Sequence, residues 1–175
     1  SRRGRAIYIA ATKEHTGKTS VSMALLSGLI QRQYCCKSIC YARLLRRFGP
    51  DRVAYMKPVG QKWVEVEDGD RGKIRVDKDV RVAKHHFGLR CRYGDMSPVI
   101  LHRGYTQLFL EGGIDPKQQE EKVTAAFERL VNDFDFIVVE GTGHTGVGSL
   151  VKMNNAAVAA LLGVDVLLVA NGGIG

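Results

Sequence analysis

The sequence has no long apolar run and little cysteine. No stretch approaches the roughly 20 apolar residues of a membrane-spanning helix, so none is predicted. The four cysteines are Cys35, Cys36, Cys40 and Cys91. Their spacing matches no zinc motif, and no histidine pair follows at the distance of a zinc finger. The cysteines are therefore interpreted as free thiols, which predicts a reducing compartment, either the cytoplasm or an organelle matrix.

Aromatic residues are sparse where positive charge accumulates. The formal net charge is +8, and the excess lies in the N-terminal arm, in residues 37–52 and in residues 81–92. A site for single-stranded nucleic acid needs aromatic side chains on which bases can stack. The charge therefore favours a small polyanionic ligand, and nucleic acid is not expected as a partner.

A glycine-containing loop follows the first apolar run of the chain. Residues 12–19 read Thr-Lys-Glu-His-Thr-Gly-Lys-Thr, close to the phosphate-binding pattern G-x-x-x-x-G-K-[ST], with Thr12 in place of the first glycine. Gly17 permits a tight turn that points backbone N–H groups at an anion, and the following helix adds its positive N-terminal end. The loop predicts a nucleotide site in which Lys18 contacts the outer phosphates and the Thr19 hydroxyl binds Mg²⁺. The alternative is an ordinary strand-to-helix turn that happens to contain Gly-Lys-Thr.

Strand and helix patterns alternate along the chain, which predicts a single α/β nucleotide-binding domain over residues 1–175. The expected fold is a mostly parallel sheet with helices on both faces, a three-layer P-loop NTPase. Extended segments are predicted at about 6–11, 53–56, 97–101, 135–140 and 164–170, and helices at about 18–33, 79–87, 116–131 and 155–162.

The remaining segments predict irregular structure. Residues 34–51 lack periodicity and are expected to be an insertion, and residues 62–78 an exposed loop or small hairpin. Residues 88–98 are expected to be irregular, and Asp79 is expected to cap the helix that follows it. Because no helix follows the last strand, we expect the fold to be C-terminally truncated in this segment.

Charged side chains follow the predicted strands. Lys57 comes directly after the second strand, and Glu140 ends a later one and opens the glycine-rich stretch 141–148. Open α/β sheets bind ligands at the carboxyl ends of their strands. A lysine there would neutralise a transferring phosphoryl group, and a buried carboxylate would bind Mg²⁺. Asp77 or Asp79 offers a second carboxylate, and a helix cap is the alternative role for each.

These elements together resemble the dethiobiotin synthase-like family of P-loop NTPases. That family includes the cobyrinic and cobyric acid synthases and the N-terminal domain of some phosphotransacetylases. Lys-Pro-Val after the second strand and Glu-Gly-x-Gly after a later one carry the resemblance, which is strongest to the stand-alone, cobyrinic acid synthase-like branch. The matching stretches make up a little under half of the chain: residues 7–26, 53–61, 76–89 and 136–175.

The resemblance implies an ATP-dependent C–N ligase. A carbamate or carboxylate oxygen attacks the γ-phosphate, and a nitrogen then attacks the mixed anhydride. The alternative is a nucleotide-sensing regulatory domain with little catalysis, as at the N-terminus of the phosphotransacetylases. Lys13 stands where relatives place a signature lysine that reaches across a dimer, so the resemblance also implies a homodimer.

The predicted site has four groups of residues. Lys18 and Lys57 are the catalytic pair, and the ligands of Mg²⁺ are Thr19, Asp79 and Glu140. Residues facing a small carboxylate or amine substrate are His15, Gln61, Gly141, Thr142, Gly143 and His144. Residues contacting ATP are Lys13, Glu14, His15, Thr16, Gly17, Lys18, Thr19, Ser20 and Asn171.

Overall fold

A parallel four-stranded sheet forms the centre of the computed structural model, which describes residues 5–30, 49–69, 72–143 and 153–172. Its strands are β1 (Arg5–Ala11), β2 (Val53–Met56), β7 (Phe136–Glu140) and β8 (Asp165–Val169), in the order β2-β7-β1-β8. Every neighbouring pair in this sheet is parallel. The carboxyl ends of β1, β2 and β7 therefore meet at one edge, with β7 between the other two.

Helices cover this sheet on both faces, as the sequence predicts. Two of them, α1 (Lys18–Ile30) and α2 (Lys78–Phe87), contact each other and pack on β2. Two others, α5 (Pro116–Asp133) and α6 (Asn155–Leu162), also contact each other, and α5 packs on β7. The mostly parallel, three-layer α/β architecture is confirmed. No helix in the described ranges is long and apolar enough to cross a membrane.

Two smaller sheets lie beside the central one. An antiparallel hairpin joins β4 (Trp63–Glu67) to β5 (Lys73–Asp77), where the sequence predicts a loop or small hairpin. The short strands β3 (Val59–Gly60) and β6 (Val99–Ile100) pair in parallel. Because β5 runs directly into α2, the hairpin fixes the position at which that helix begins.

In helix α5, local sequence signals determine both where the helix begins and which face is buried. Asp115 is its N-cap and accepts the N–H of Lys117 at 2.9 Å, and Pro116 occupies the first helical position. The predicted apolar face of α5 is its buried face, consisting of Val123, Ala126, Phe127, Leu130 and Val131.

Two predictions about local structure are wrong, and one short helix was not predicted. The cap of α2 is Asp77, not Asp79, because Asp77 has an extended backbone and its carboxylate accepts the Asp79 N–H at 3.0 Å. The segment 88–98 contains a short helix, α3 (Tyr93–Met96), and a second short helix, α4 (Tyr105–Leu110), has no counterpart among the predicted elements. Both helices are too short for a periodic pattern to indicate them.

Several expectations fall outside the described residues. These concern most of the insertion at 34–51, three of the four cysteines, and His144. Cys91 is described and is a buried free thiol, in agreement with the prediction for it.

Candidate nucleotide-binding site

A cavity of about 450 Å³ opens at the carboxyl ends of β1 and β2. One part of its wall is the loop that follows β1, residues 13–20, and the other comes from Lys57, the hairpin and the first turn of α2. Most of the predicted ATP contacts thus line one cavity. The remaining lining residues are Gln61, Lys62, Asp77, Lys78, Asp79 and Gly143.

The loop has a backbone that only some residues tolerate. Gly17 has φ 89°, in the left-handed region that favours glycine, and nothing lies within 4 Å of the position of a Cβ there. His15 also has a positive φ, 60°, and is the one non-glycine residue with that conformation among the described residues. The Thr16 hydroxyl donates to the carbonyl of Lys13 at 2.9 Å. These features curl the loop around the start of α1.

Glu140 is the fully buried centre of the site. Its Oε2 accepts the hydroxyl of Tyr55 at 2.8 Å, and its Oε1 accepts the hydroxyl of Thr19 at 2.8 Å. The ammonium groups of Lys18 and Lys57 lie 3.5 and 3.8 Å from Oε1. A buried carboxylate is costly unless it is paired and hydrogen-bonded, and both conditions are met here. Glu140 thus links the phosphate loop on α1 to the lysine after β2.

Lys57 is held by two further carboxylates. Its Nζ lies 3.0 Å from Asp77 Oδ1 and 2.6 Å from Asp79 Oδ2. Burial acts to lower the pKa of Lys57, but the nearby charges of Asp77, Glu140 and Asp79 outweigh it, and the net pKa is raised. The ammonium group therefore stays charged at neutral pH.

The two aspartates differ in how fully their oxygens are used. Asp77 is 1% exposed, and its Oδ2 accepts the backbone N–H of Gln61 at 3.0 Å in addition to the contacts of Oδ1. The side chain of Asp79 is 20% exposed, and among the described residues its carboxylate meets only Lys57. The Asp79 carboxylate therefore keeps acceptor capacity on the cavity side, which favours Asp79 over Asp77 as a metal ligand.

The glycine-rich stretch after β7 divides between the cavity and the core. Gly143 lines the cavity, where a Cβ would lie 3.2 Å from the side chain of Glu14. Gly141 and Thr142 are buried and do not line it, and the backbone N–H of Thr142 donates to Asn155 Oδ1 at 2.8 Å.

The last predicted ATP contact also lies elsewhere. Asn171 is exposed after β8 and is not among the residues that line the cavity.

Sequence reasoning misses Tyr55, which contacts Glu140, the cavity-lining Lys62 and Lys78, and Asn155, which holds the buried Thr142. Tyr55 lies in an apolar strand and looks like a core residue, yet it precedes Lys57 by two positions and therefore shares its side of the strand. The two-residue period of a strand is therefore the sequence signal that could have indicated Tyr55. Asn155 Oδ1 accepts from the hydroxyl of Tyr8 at 3.1 Å and from Thr142, two contacts far apart in the sequence, and nothing local indicates them.

The oxygens around Glu140 suit a hard cation. The Thr19 hydroxyl and the Glu140 carboxylate are in direct contact, and Asp79 is joined to Glu140 through Lys57. Mg²⁺ is usually held by one or two carboxylates together with phosphate oxygens and water. Within the described residues no group of three or more His, Cys, Asp or Glu side chains could hold a metal alone. The donor set therefore fits Mg²⁺ that arrives with phosphate ligands.

The fold and this site define a nucleotide-binding P-loop protein. A phosphate loop follows the first strand of a parallel sheet, and its lysine meets a buried carboxylate from the neighbouring strand. A family model described as an AAA domain matches residues 5–175. The chain belongs to this family, a dethiobiotin synthase-like family of P-loop proteins, which confirms the family resemblance found in the sequence.

The individual relatives share only about a quarter of their aligned residues with this chain. The chain is 27% identical to the ATP-dependent dethiobiotin synthetase of Methanococcus vannielii over 81% of this chain and 53% of that protein. It is 24% identical to the phosphate acetyltransferase of Synechocystis sp. and 26% identical to that of Nitratidesulfovibrio vulgaris, over 94% and 95% of this chain. The chain spans 20% of the length of each acetyltransferase and about half of the synthetase.

Proposed function

We propose that this P-loop protein binds ATP with Mg²⁺ and acts as an ATP-dependent C–N ligase of the dethiobiotin synthase or cobyrinic acid synthase type. The observation that carries the proposal is the convergence of Lys18 and Lys57 on buried Glu140, beside the cavity that the phosphate loop lines. Two ammonium groups from different elements at one cavity suit a ligand whose negative charge is concentrated, such as the outer phosphates of ATP.

Thr19, Glu140 and Asp79 would hold the Mg²⁺ ion. When bound, the ion would neutralise charge on the phosphate oxygens. Glu140 has a second role that needs no metal, because its contacts keep the two lysines close together. Asp79 and Asp77 hold Lys57 from the other side, so the position of its ammonium group is fixed before the nucleotide binds.

The proposed reaction begins with attack by an acceptor carboxylate or carbamate oxygen on the γ-phosphorus. A bond forms between that oxygen and phosphorus, the bond to the β–γ bridging oxygen breaks, and ADP leaves. An amine nitrogen then attacks the carbonyl carbon of the mixed anhydride, which expels phosphate. Lys18 and Lys57 would stabilise the charge on the transferring group, and the protein's contribution is positioning and electrostatics.

A second candidate is a nucleotide-sensing domain with little catalysis. The acetyltransferase relatives match 94% and 95% of this chain, more than the 81% that the synthetase matches. Glu14 and His15 also line the cavity at the loop positions where dethiobiotin synthases carry other residues. For either candidate we propose a homodimer in which Lys13, at the cavity rim, reaches the partner's nucleotide.

Titration calorimetry with ATP, GTP and CTP in the presence of Mg²⁺ is the first test. It would be followed by a phosphate-release screen over diamino acids, corrinoid acids and acetyl phosphate. We expect ATP binding, and we expect Lys18→Ala and Lys57→Ala each to lower acceptor-dependent turnover on the order of 100-fold. Lys122→Ala, on the exposed face of α5, is the matched control.

The outcomes separate the candidates. Tight ATP binding without acceptor-dependent phosphate release supports the sensing domain and removes the ligase. Turnover that persists unchanged in both lysine variants contradicts the proposed mechanism.

A further inference from the structure

The ammonium group of Lys57 lies among the carboxylates that the proposed Mg²⁺ ion would use. Its Nζ is 2.6 Å from Asp79 Oδ2, 3.0 Å from Asp77 Oδ1 and 3.8 Å from Glu140 Oε1. Two of these residues, Asp79 and Glu140, are proposed ligands of the ion. Because Lys57 is only 8% exposed, water screens its charge little, and the lysine cannot turn to solvent without leaving buried carboxylates unpaired.

The charges of this cluster nearly balance within the protein itself. Its three carboxylates are those of Asp77, Asp79 and Glu140, and its two ammonium groups are those of Lys18 and Lys57. The lysines therefore act as internal counter-ions that the buried carboxylates require. A divalent cation added to the remaining single negative charge would make the cluster net positive. It would also lie close to both ammonium groups and be repelled by them.

The spacing of the oxygens suits an ammonium group rather than a metal ion. Mg²⁺ needs its oxygen ligands at about 2.0–2.1 Å in a near-octahedral arrangement. The carboxylate oxygens around Lys57 Nζ lie 2.6 to 3.8 Å from it. This agrees with the lack, among the described residues, of a side-chain group that could hold a metal alone. A cation can use Asp79 only if Lys57 releases that carboxylate to it.

We infer that Lys57 opposes the binding of a divalent cation on its own and admits the cation only together with nucleotide phosphates. The inference rests on the proposed function, which supplies phosphates in the cavity that Lys57 lines. Phosphate oxygens would accept the ammonium group when Asp79 turns to the cation, while Asp77 keeps its contact with Lys57. This lysine would thus make cation binding and nucleotide binding depend on each other, in addition to its contact with the transferring group.

The test measures Mn²⁺ binding by electron paramagnetic resonance on the protein without nucleotide. Mn²⁺ is the probe because it takes the same oxygen ligands as Mg²⁺ and the resonance of the free ion is easily measured. The double variant Lys57→Met/Asp77→Asn leaves the net charge unchanged, keeps Asp79 and Glu140, and retains a residue that can cap α2. We expect this variant to bind Mn²⁺ at least about tenfold more tightly than the unmodified protein, because the repelling ammonium group is gone.

The double variant Lys57→Met/Asp79→Asn is the matched control. It also leaves the net charge unchanged, but it removes a carboxylate that the cation would use, so its Mn²⁺ affinity should remain as weak as that of the unmodified protein. Thermal unfolding of each variant confirms that it is folded. If a double variant does not fold, Lys57→Gln takes its place, since glutamine still donates hydrogen bonds to the carboxylates. That single variant should also bind Mn²⁺ more tightly than the unmodified protein.

Three outcomes overturn the inference. The first is equal Mn²⁺ affinity of the unmodified protein and of the variants that lack Lys57. The second is an equal gain in both double variants, because Mn²⁺ then does not depend on Asp79. The third is that ADP raises the Mn²⁺ affinity of Lys57→Met/Asp77→Asn as much as that of the unmodified protein, since chelation in solution is the same for both.

Failure of the unmodified protein to bind Mg-ATP would instead remove the proposed function itself. The comparison of Mn²⁺ affinities without nucleotide would still decide whether Lys57 opposes the cation. The two failures are therefore distinguishable.

Discussion

At the scale of single residues, the character of the site is set by the hydroxyl groups and charges around Glu140. A carboxylate with no exposed surface is tolerated because Tyr55 and Thr19 donate to its two oxygens and two lysines lie within 4 Å. The sequence indicates Glu140, since it ends an apolar strand. It does not indicate Tyr55, because a tyrosine in such a strand is more often a core residue.

The Tyr55→Phe variant should be less stable. The substitution removes only the hydroxyl that donates to Glu140 Oε2 at 2.8 Å, so the packing volume is nearly unchanged. A lost hydrogen bond to a buried charged group should lower the free energy of unfolding by about 2 kcal/mol, measured by urea denaturation. Tyr93→Phe is the control, since the structure shows no hydrogen bond from that hydroxyl within the described residues. Equal stabilities of the two variants would contradict the role given to Tyr55.

Alkaline pH should destabilise the protein through buried groups, of which Tyr55 and Lys57 belong to the cluster around Glu140. Burial, followed by the charge of Glu140, raises the pKa of Tyr55 well above its ordinary value of 10.0. The pKa of Lys57 is raised above 10.5 by its carboxylate partners despite its burial, and burial raises the pKa of Cys91 above 9.0. Above these ordinary values the unfolded chain releases protons that the folded chain keeps, so stability falls as pH rises.

Urea denaturation between pH 8 and pH 11 (about the ordinary range of thiol, phenol and ammonium titration) measures this loss. The free energy of unfolding should begin to fall near pH 9, where the thiol titrates in the unfolded chain. It should fall more steeply above pH 10, where the phenol and the ammonium group titrate in the unfolded chain. Tyr55→Phe should show a shallower decline above pH 10. A decline of the same steepness in that variant would show that other groups cause it.

At the scale of elements, β3 and the end of β5 are pressed together at the cavity. Gly60 is the point of contact, because a Cβ there would lie 2.7 Å from Ile100 Cδ1 and 2.8 Å from Asp77 Cβ. These distances are shorter than real contacts, so any side chain must move Asp77 or β6. The sequence predicts an extended segment and an exposed loop or small hairpin here, but it contains no sign that they meet at Gly60.

Two glycine substitutions should therefore act in opposite directions. Gly60→Ala should destabilise the protein by about 1–3 kcal/mol through overpacking, and it should weaken nucleotide-dependent activity because Asp77 moves. Gly28→Ala, in α1 with nothing within 4 Å of its Cβ, should stabilise by up to about 1 kcal/mol. Thermal unfolding measures both changes. A neutral Gly60→Ala would mean that β6 moves aside freely.

At the scale of the whole molecule, strand order creates the site. Because β7 lies between β1 and β2, Glu140 at its end reaches both Thr19 from the loop and Lys57 from the neighbouring strand. These residues are separated by as many as 121 positions in the chain. Nucleotide binding should consequently stabilise the fold as a unit rather than one loop.

Mg-ATP at about 100 times its dissociation constant should add about 2.7 kcal/mol to the free energy of unfolding. For a domain of this size the melting temperature should rise by about 5–10 °C, measured by differential scanning calorimetry. Lys18→Ala should abolish most of the rise, whereas Lys122→Ala should keep it. An equal rise in both variants would place the nucleotide away from the phosphate loop.

The sequence by itself determined the α/β class, the phosphate loop, the apolar face of α5 and the strand-end positions of Lys57 and Glu140. These features depend on short-range periodicity, capping and the local chemistry of one loop. The tertiary structure alone decided that Asp77 and not Asp79 caps α2 while also holding Lys57, that Tyr55 belongs to the site, and that Asn171 lies away from the cavity. These three features depend on strand order and on contacts between side chains far apart in the chain. A local sequence pattern contains no information about strand order or about such contacts.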